Sequence, residues 1–244
     1  LEQTAGAGDY KTVTRSSWPT EGYKFNAELS RCENGSTLSW DDTKKAVIVS
    51  GNLSDKCYVY FDIYQPTLAE YIKSQYTGTQ GDNGIYYHNS TLANGAGDNS
   101  YRYAGASDSV NNYVCLGSDE ATCPDANLFR IIGVFGDQTK VIRAKSVGNK
   151  QWHTSESNTW STSSLNTYLN GEYLTSLGTL ADKIATTTWK VGGGSWSNIS
   201  ASVPKTAYQN EVGSSASTTT VNKKIGLMYV SDYYYSASPS AWTL

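Results

Sequence analysis

The sequence predicts a β-rich α+β protein in two parts: a small β-sandwich module over residues 1–65, then a larger α+β domain over residues 66–244. Three observations predict it. Short runs of β-branched and aromatic residues recur about every ten residues between Gly22 and Ile63, the rhythm of a small sandwich. A capping-box signature at Thr67–Glu70 opens a short helix, after which polar loops, strand patterns and helical zones are mixed. Four cysteines fall into two short pairs, Cys32 with Cys57 and Cys115 with Cys123, each bracketing a turn-rich polar loop.

The elements follow in order. The first twenty residues are small and polar, with Pro19 closing a lead-in or edge strand. YKFNAEL, STLSW, KAVIVSG and CYVYFDIY then read as strands, separated by turn signals at Asn34-Gly35, Asp41-Asp42 and Gly51-Asn52. Alternation in CYVYFDIY sets Tyr58, Tyr60 and Asp62 on one face, and Val59, Phe61 and Ile63 on the other. Pro66 ends this block. Leu68, Ile72 and Tyr76 lie at helical spacing before Gly78 stops the helix.

Residues 78–112 are loaded with Gly, Asn, Asp and Ser, yet carry Tyr86, Tyr87, Tyr101 and Tyr103. A stretch that long is functional or irregularly folded. YVCLG is the next strand, and NLFRIIGVFG, with Ile131, Ile132, Val134 and Phe135, predicts a strand buried on both faces. A hairpin turn at Gly136-Asp137 leads into KVIRAKSV. Ser163 or Ser164 begins a helical zone, with Leu165, Tyr168 and Leu169 on one face and Tyr173, Leu174 and Leu177 beyond Gly171. Leu180 to Ile184 adds a further turn. TTTWKVGGGSW reads as a strand and glycine turn, followed by a Ser/Thr-rich excursion to Thr220 and an apolar strand KIGLMYVSD. A start at Leu1 and an end at Trp242-Thr243-Leu244 are what a processed or trimmed chain would show.

Composition narrows the function. Only 17% of the 244 residues are charged, and nineteen Tyr and seven Trp stand against four Phe. That is a composition of half-buried rings with polar edges, common on secreted β proteins and binding surfaces. A net charge of −3 without a basic cluster gives no drive towards nucleic acid. No apolar run reaches membrane-spanning length, so no transmembrane segment is expected. The cysteine spacings suit local disulfides better than a four-thiolate zinc site, which usually shows two-residue spacing. Two bridges place the chain in an oxidising, extracytoplasmic compartment. On a chain-entropy account the longer loop contributes roughly 3.5 kcal/mol and the shorter about 2.6.

Two stretches carry a resemblance. YKFNAELSRCENGSTLSWDD with SDKCYVYFD resembles a cysteine-containing β module of uncharacterised surface proteins of gut Firmicutes. NSYRYAG, NNYVCLGSDEATCPDANLFRIIGVFGDQTKVIRA, WSTSSLNTYLNGEYL and KIGLMYVSDYYYSAS are similar to a domain of unknown function in the same bacteria. The resemblance implies a C-type-lectin-like, or formylglycine-generating-enzyme-like, second domain and a surface location. Such relatives continue past the equivalent of Trp242 with Trp-rich strands, a continuation this sequence does not contain.

Candidate chemistry is sparse. His88 and His153 sit in polar loops without a neighbouring ligand set, and are expected to be exposed or capping. Asp119, Glu120, Asp125, Glu156 and Glu172 could supply a glycosidase pair, but no spacing pairs them. Asp82, Asn83 and Asp98 offer hard oxygen atoms in glycine-rich loops, which makes calcium the candidate cation; no other cofactor is implied. Gly192-Gly193-Gly194-Ser195-Trp196 resembles a glycine-Trp motif of the same lectin-like folds. Tyr233, Tyr234 and Tyr235, with Trp196, are the candidate ligand-binding aromatics. The sequence therefore predicts a non-catalytic adhesin for a glycan or a host or bacterial surface protein. A self-assembling pilus or filament subunit is the first alternative, and a glycan-active hydrolase the second.

Overall fold

The structure, a computed structural model, describes residues 22–52, 54–193 and 203–243. The chain divides into two compact units, Leu1–Thr67 and Leu68–Leu244. Both disulfides are formed, Cys32–Cys57 in the first unit and Cys115–Cys123 in the second, and no cysteine is free.

Among the described residues the strands of the first unit form three two-stranded antiparallel ribbons, not the two larger sheets expected of a sandwich. Strand β1 (Tyr23–Phe25) pairs β6 (Phe61–Ile63), β2 (Arg31–Cys32) pairs β5 (Cys57–Tyr58), and β3 (Thr37–Asp41) pairs β4 (Ala46–Ser50). The reason lies in CYVYFDIY. At Tyr60 the backbone N–H donates to Ser30 Oγ (3.0 Å) and the carbonyl accepts from Asn26 N (2.9 Å). These bonds split one expected strand into two that serve different ribbons. Ile63, expected on the same face as Phe61, is 79% exposed. A small aromatic core holds the ribbons: Trp40 meets Phe61 edge-on at 5.6 Å, and Phe25 lies 5.9 Å from Phe61. The disulfide joins Cys32 and Cys57 directly across the β2–β5 register.

The second unit is mixed α+β. Helix α1 (Leu68–Ser74) buries Ala69 and Ile72 against Ile85, Ile131 and Val134. Five strands make its main antiparallel sheet: β7 (Ile85–Tyr87), β8 (Tyr101–Tyr103), β9 (Tyr113–Cys115), β10 (Leu128–Phe135) and β11 (Gln138–Arg143). β10 is the spine. β11 covers one edge, while β8 and β9 pair with opposite ends of the other. Asn112 fills the gap between them, its carbonyl accepting from Ile131 N (2.8 Å) and its side-chain amide donating to Ile131 O (2.7 Å). The β10–β11 hairpin turns at Gly136-Asp137, with Gly136 at φ 60°.

Ser163 caps helix α2 (Ser164–Tyr168), its side chain accepting from Asn166 N. A π-turn over Leu169–Tyr173, containing Gly171, carries the chain into α3 (Leu174–Ser176). Trp160, Leu169 and Tyr173 form a local core there, and α4 (Leu180–Lys183) follows. Strand β12 (Thr187–Lys190) pairs β13 (Thr220–Lys223). Between them lies an element absent from the sequence reading, helix α5 (Pro204–Glu211), with Pro204 in its first turn.

The expected strand KIGLMYVSD is not one. The strand ends at Lys223, and Val230–Ser236 forms helix α6. Buried Glu211 causes the change. Its Oε1 accepts from Val230 N (2.9 Å) and Oε2 from Ser231 N (2.8 Å), while Asp232 Oδ2 accepts from Tyr229 N (3.2 Å). Three otherwise orphaned donors of a helix start are satisfied, which outweighs the β-propensity of the run.

Candidate functional site

The candidate calcium ligands do not assemble. Asp82 accepts from the Thr77 hydroxyl (2.6 Å), and Asn83, in the left-handed region at φ 54°, donates its amide to Gln75 O (2.8 Å). Asp98 is committed to a cation already present: its Oδ2 meets Arg102 Nη2 at 2.8 Å. Its Oδ1 accepts from Ser100 N (3.1 Å) and from Ser100 Oγ. Among the described residues no group of three acidic, His or Cys side chains is placed to hold a metal. Asp-Asn-Gly is here a turn, not a ligand set.

The tyrosine triplet is divided by helix geometry. Tyr233 is 68% exposed, whereas Tyr235 is 1% exposed and packs its ring between His88 (4.7 Å) and Trp242 (5.3 Å). Tyr235 therefore belongs to the core and presents no ring to a ligand. Its hydroxyl donates to Asn94 O (3.0 Å), and burial pushes that hydroxyl well above the ordinary tyrosine range. Tyr234 is half-buried, its ring 6.4 Å from Tyr233. Val230 lies one turn before Tyr233 and is also exposed, so the outer face of α6 carries an apolar and an aromatic side chain together. Trp196, with Gly194 and Ser195, lies outside the described residues.

The inner face of α6 closes over a buried ionic centre. Arg102 on β8, Gly133 on β10 and Lys140 on β11 are direct cross-strand partners, so they form one row across three strands on one face of the sheet. Gly133 adds no side chain to the row and lets β8 approach closely, and the two flanking cations converge on Asp232 of α6. Arg102 Nη1 reaches Asp232 Oδ1 at 3.3 Å, and Lys140 Nζ contacts Oδ2. Aromatic rings wall the centre. The Arg102 guanidinium lies 4.6 Å from the Phe135 ring, 5.0 Å from Tyr235 and 5.4 Å from Tyr208. Lys140 Nζ lies 4.4 Å from the Tyr229 ring and 5.2 Å from Trp189.

Electrostatics follow from this closure. Burial lowers the Lys140 ammonium below its ordinary value, against the pull of Asp232. Burial alone would raise the Asp98 carboxyl, but Arg102 and the Ser100 hydroxyl outweigh it and hold it below the usual range. The Tyr208 and Tyr229 hydroxyls are each pushed up to about 12, chiefly by burial.

His88 departs from expectation. It is fully buried rather than loop-exposed, with Nδ1 accepting from Ala96 N (3.1 Å). Desolvation, helped by the positive Arg102, pushes its pKa down to about 3. Nε2 has no hydrogen-bond partner. His153, by contrast, does cap its loop: Nδ1 accepts from Ser155 N (3.0 Å).

Sequence reasoning missed Arg102, Lys140, Glu211 and Asp232, which lie far apart in the chain. One signal was available: NSYRYAG and FGDQTKV each set a lone cation inside a strand, where an unpaired charge is costly.

No family model, curated protein or solved structure matches this chain. Among the described residues no helix is long and apolar enough to cross a membrane.

Proposed function

We propose that this chain is an extracellular, non-catalytic surface protein that recognises a glycan or another surface protein through aromatic side chains on a disulfide-stapled body. The observation that carries this reading is the two-faced helix α6. Its inner face is fixed by Asp232, Tyr235 and the Glu211 cap, while Tyr233 and Val230 stand exposed on the outer face. A ring presented by a rigid element loses little conformational entropy on binding, and tyrosine combines stacking area with a polar tip. The two disulfides support an oxidising location, and the resemblance to surface proteins of gut Firmicutes agrees with it. The buried carboxylates also favour recognition over hydrolysis, since Asp98, Asp232 and Glu211 are each engaged by cations or backbone donors.

A glycan array and a panel of immobilised surface proteins test the proposal, using wild type and Tyr233→Ala. Wild type is expected to bind a restricted set of targets, and the variant to bind them about tenfold more weakly or worse. Binding to nothing on either panel, or equal binding by both proteins, would contradict the proposal.

The second reading is a filament subunit. It is favoured by β4, whose run of Ala46, Val47, Ile48 and Val49 lies in a two-stranded ribbon and offers a second edge for pairing with another chain, among the described residues. Regular fibres under electron microscopy would favour this reading over the first.

A further inference from the structure

We propose that Lys140 and Asp232 condense to form an intramolecular isopeptide bond between strand β11 and helix α6. The ammonium nitrogen and the carboxyl group are already in contact, and both are held from several sides. Lys140 is fixed by its register opposite Gly133 and by the rings of Tyr229 and Trp189. Asp232 is fixed by Arg102 at Oδ1 and by Tyr229 N at Oδ2. The Lys140 side chain is 17% exposed and that of Asp232 is 3% exposed, so bulk water is largely kept from the reacting atoms.

The chemistry needs no added reagent. Within the enclosed pair, a proton passes from Lys140 Nζ to Asp232 Oδ2, giving a neutral amine beside a neutral carboxylic acid. A low-dielectric setting favours that exchange because it removes two buried charges. Nζ then attacks Cγ, and the negative charge that develops on Oδ1 faces the Arg102 guanidinium, which stabilises it as an oxyanion donor does. A second proton moves from Nζ to Oδ2, the Cγ–Oδ2 bond breaks, and Oδ2 departs as water. The lysine nitrogen retains one hydrogen as the amide N–H. Ammonium and carboxylate thus become one amide and one water, with no oxidant or reductant.

Proximity supplies the rate. Well-oriented intramolecular partners can react as though at about 10⁵ M or more, which lowers the barrier to this condensation. Burial of Lys140 helps by favouring its neutral, nucleophilic form. Glu211 anchors the same helix start through Val230 N and Ser231 N, holding the Asp232 backbone in place during the reaction.

Intact-mass measurement of the full chain decides the matter. Once the two disulfides are reduced, the mass is expected to fall short of the sequence mass by one water, about 18 Da. Trypsin is expected to leave the bond after Lys140 uncut and to release a branched peptide joining the Lys140 and Asp232 segments. Lys140→Arg keeps the charge but cannot form the bond, and should recover the full mass. Full sequence mass in folded wild type after prolonged incubation, with normal cleavage after Lys140, would overturn the proposal. So would a water deficit that persists in Lys140→Arg or maps to other residues. Because wild type alone gives the primary readout, a variant that fails to fold does not leave the question open.

Discussion

His88 and Arg102 show how single side chains in this protein carry more than their sequence context suggests. His88 is held neutral, its pKa moved from the ordinary 6.5 down to about 3 by burial and by Arg102. The unfolded chain therefore binds the extra proton first. Stability is fully present above about pH 6.5 and is lost as pH falls towards 3, at up to about 1.4 kcal/mol per pH unit. Chemical denaturation of wild type at pH 6.5 and 4.5 should show a loss of about 2–3 kcal/mol. His88→Gln should show a clearly smaller loss; matching losses would refute the assignment. Arg102 neutralises Asp98 and shares Asp232, at 1% exposure. Arg102→Met would strand a buried carboxylate, and urea titration should register a loss of about 3–5 kcal/mol. None of this was visible from the sequence around His88, where Gly, Asn and Asp suggested a solvated loop. The polar residues instead wrap a charged centre supplied by segments more than a hundred positions away, as with Arg102 and Asp232.

Strand β10 and helix α6 are the elements that shape the centre, and they differ in how far the sequence foretold them. β10 was plain: its apolar run, broken only by Arg130, and the Gly136-Asp137 turn fix both the strand and its hairpin partner. Gly133 inside that run had no evident purpose until its neighbours were placed. A Cβ at Gly133 would stand 2.5 Å from the Tyr101 carbonyl oxygen and 3.3 Å from Arg102 Cγ. Gly133→Ala should therefore force β8 from β10, with a loss of about 1–3 kcal/mol by thermal or urea unfolding. A stability equal to wild type would show that the strands tolerate the methyl group. Helix α6 was misread because KIGLMYVSD has strand composition, and the groups that make it helical include a carboxylate about twenty residues earlier in the chain. Glu211→Ala leaves the N–H groups of Val230 and Ser231 without acceptors. It should lower stability by about 1–3 kcal/mol, and amide exchange at these two positions should accelerate.

In the molecule as a whole, each disulfide lies within its own unit, so each should act on its own unfolding event. Replacing Cys32 and Cys57 by Ala should destabilise the first unit by roughly 3.5 kcal/mol, and replacing Cys115 and Cys123 the second by about 2.6. Differential scanning calorimetry should show a shift confined to one component in each case. Composition and cysteine spacing were enough to anticipate the bridges and the mixed α+β class. The β-sandwich was not borne out, because the strands of the first unit are two to five residues long and pair only as ribbons among the described residues. Pairwise strand length and partner choice depend on bonds such as Tyr60 N to Ser30 Oγ, which no periodicity encodes. The proposed outward location depends on the oxidised state of the four cysteines. Peptide mapping of the chain isolated from its native source, with thiols blocked before any reduction, examines that dependence most directly. The expected result is two linked peptide pairs, Cys32 with Cys57 and Cys115 with Cys123, and no blocked thiol; four alkylated cysteines, or crossed pairs, would contradict it.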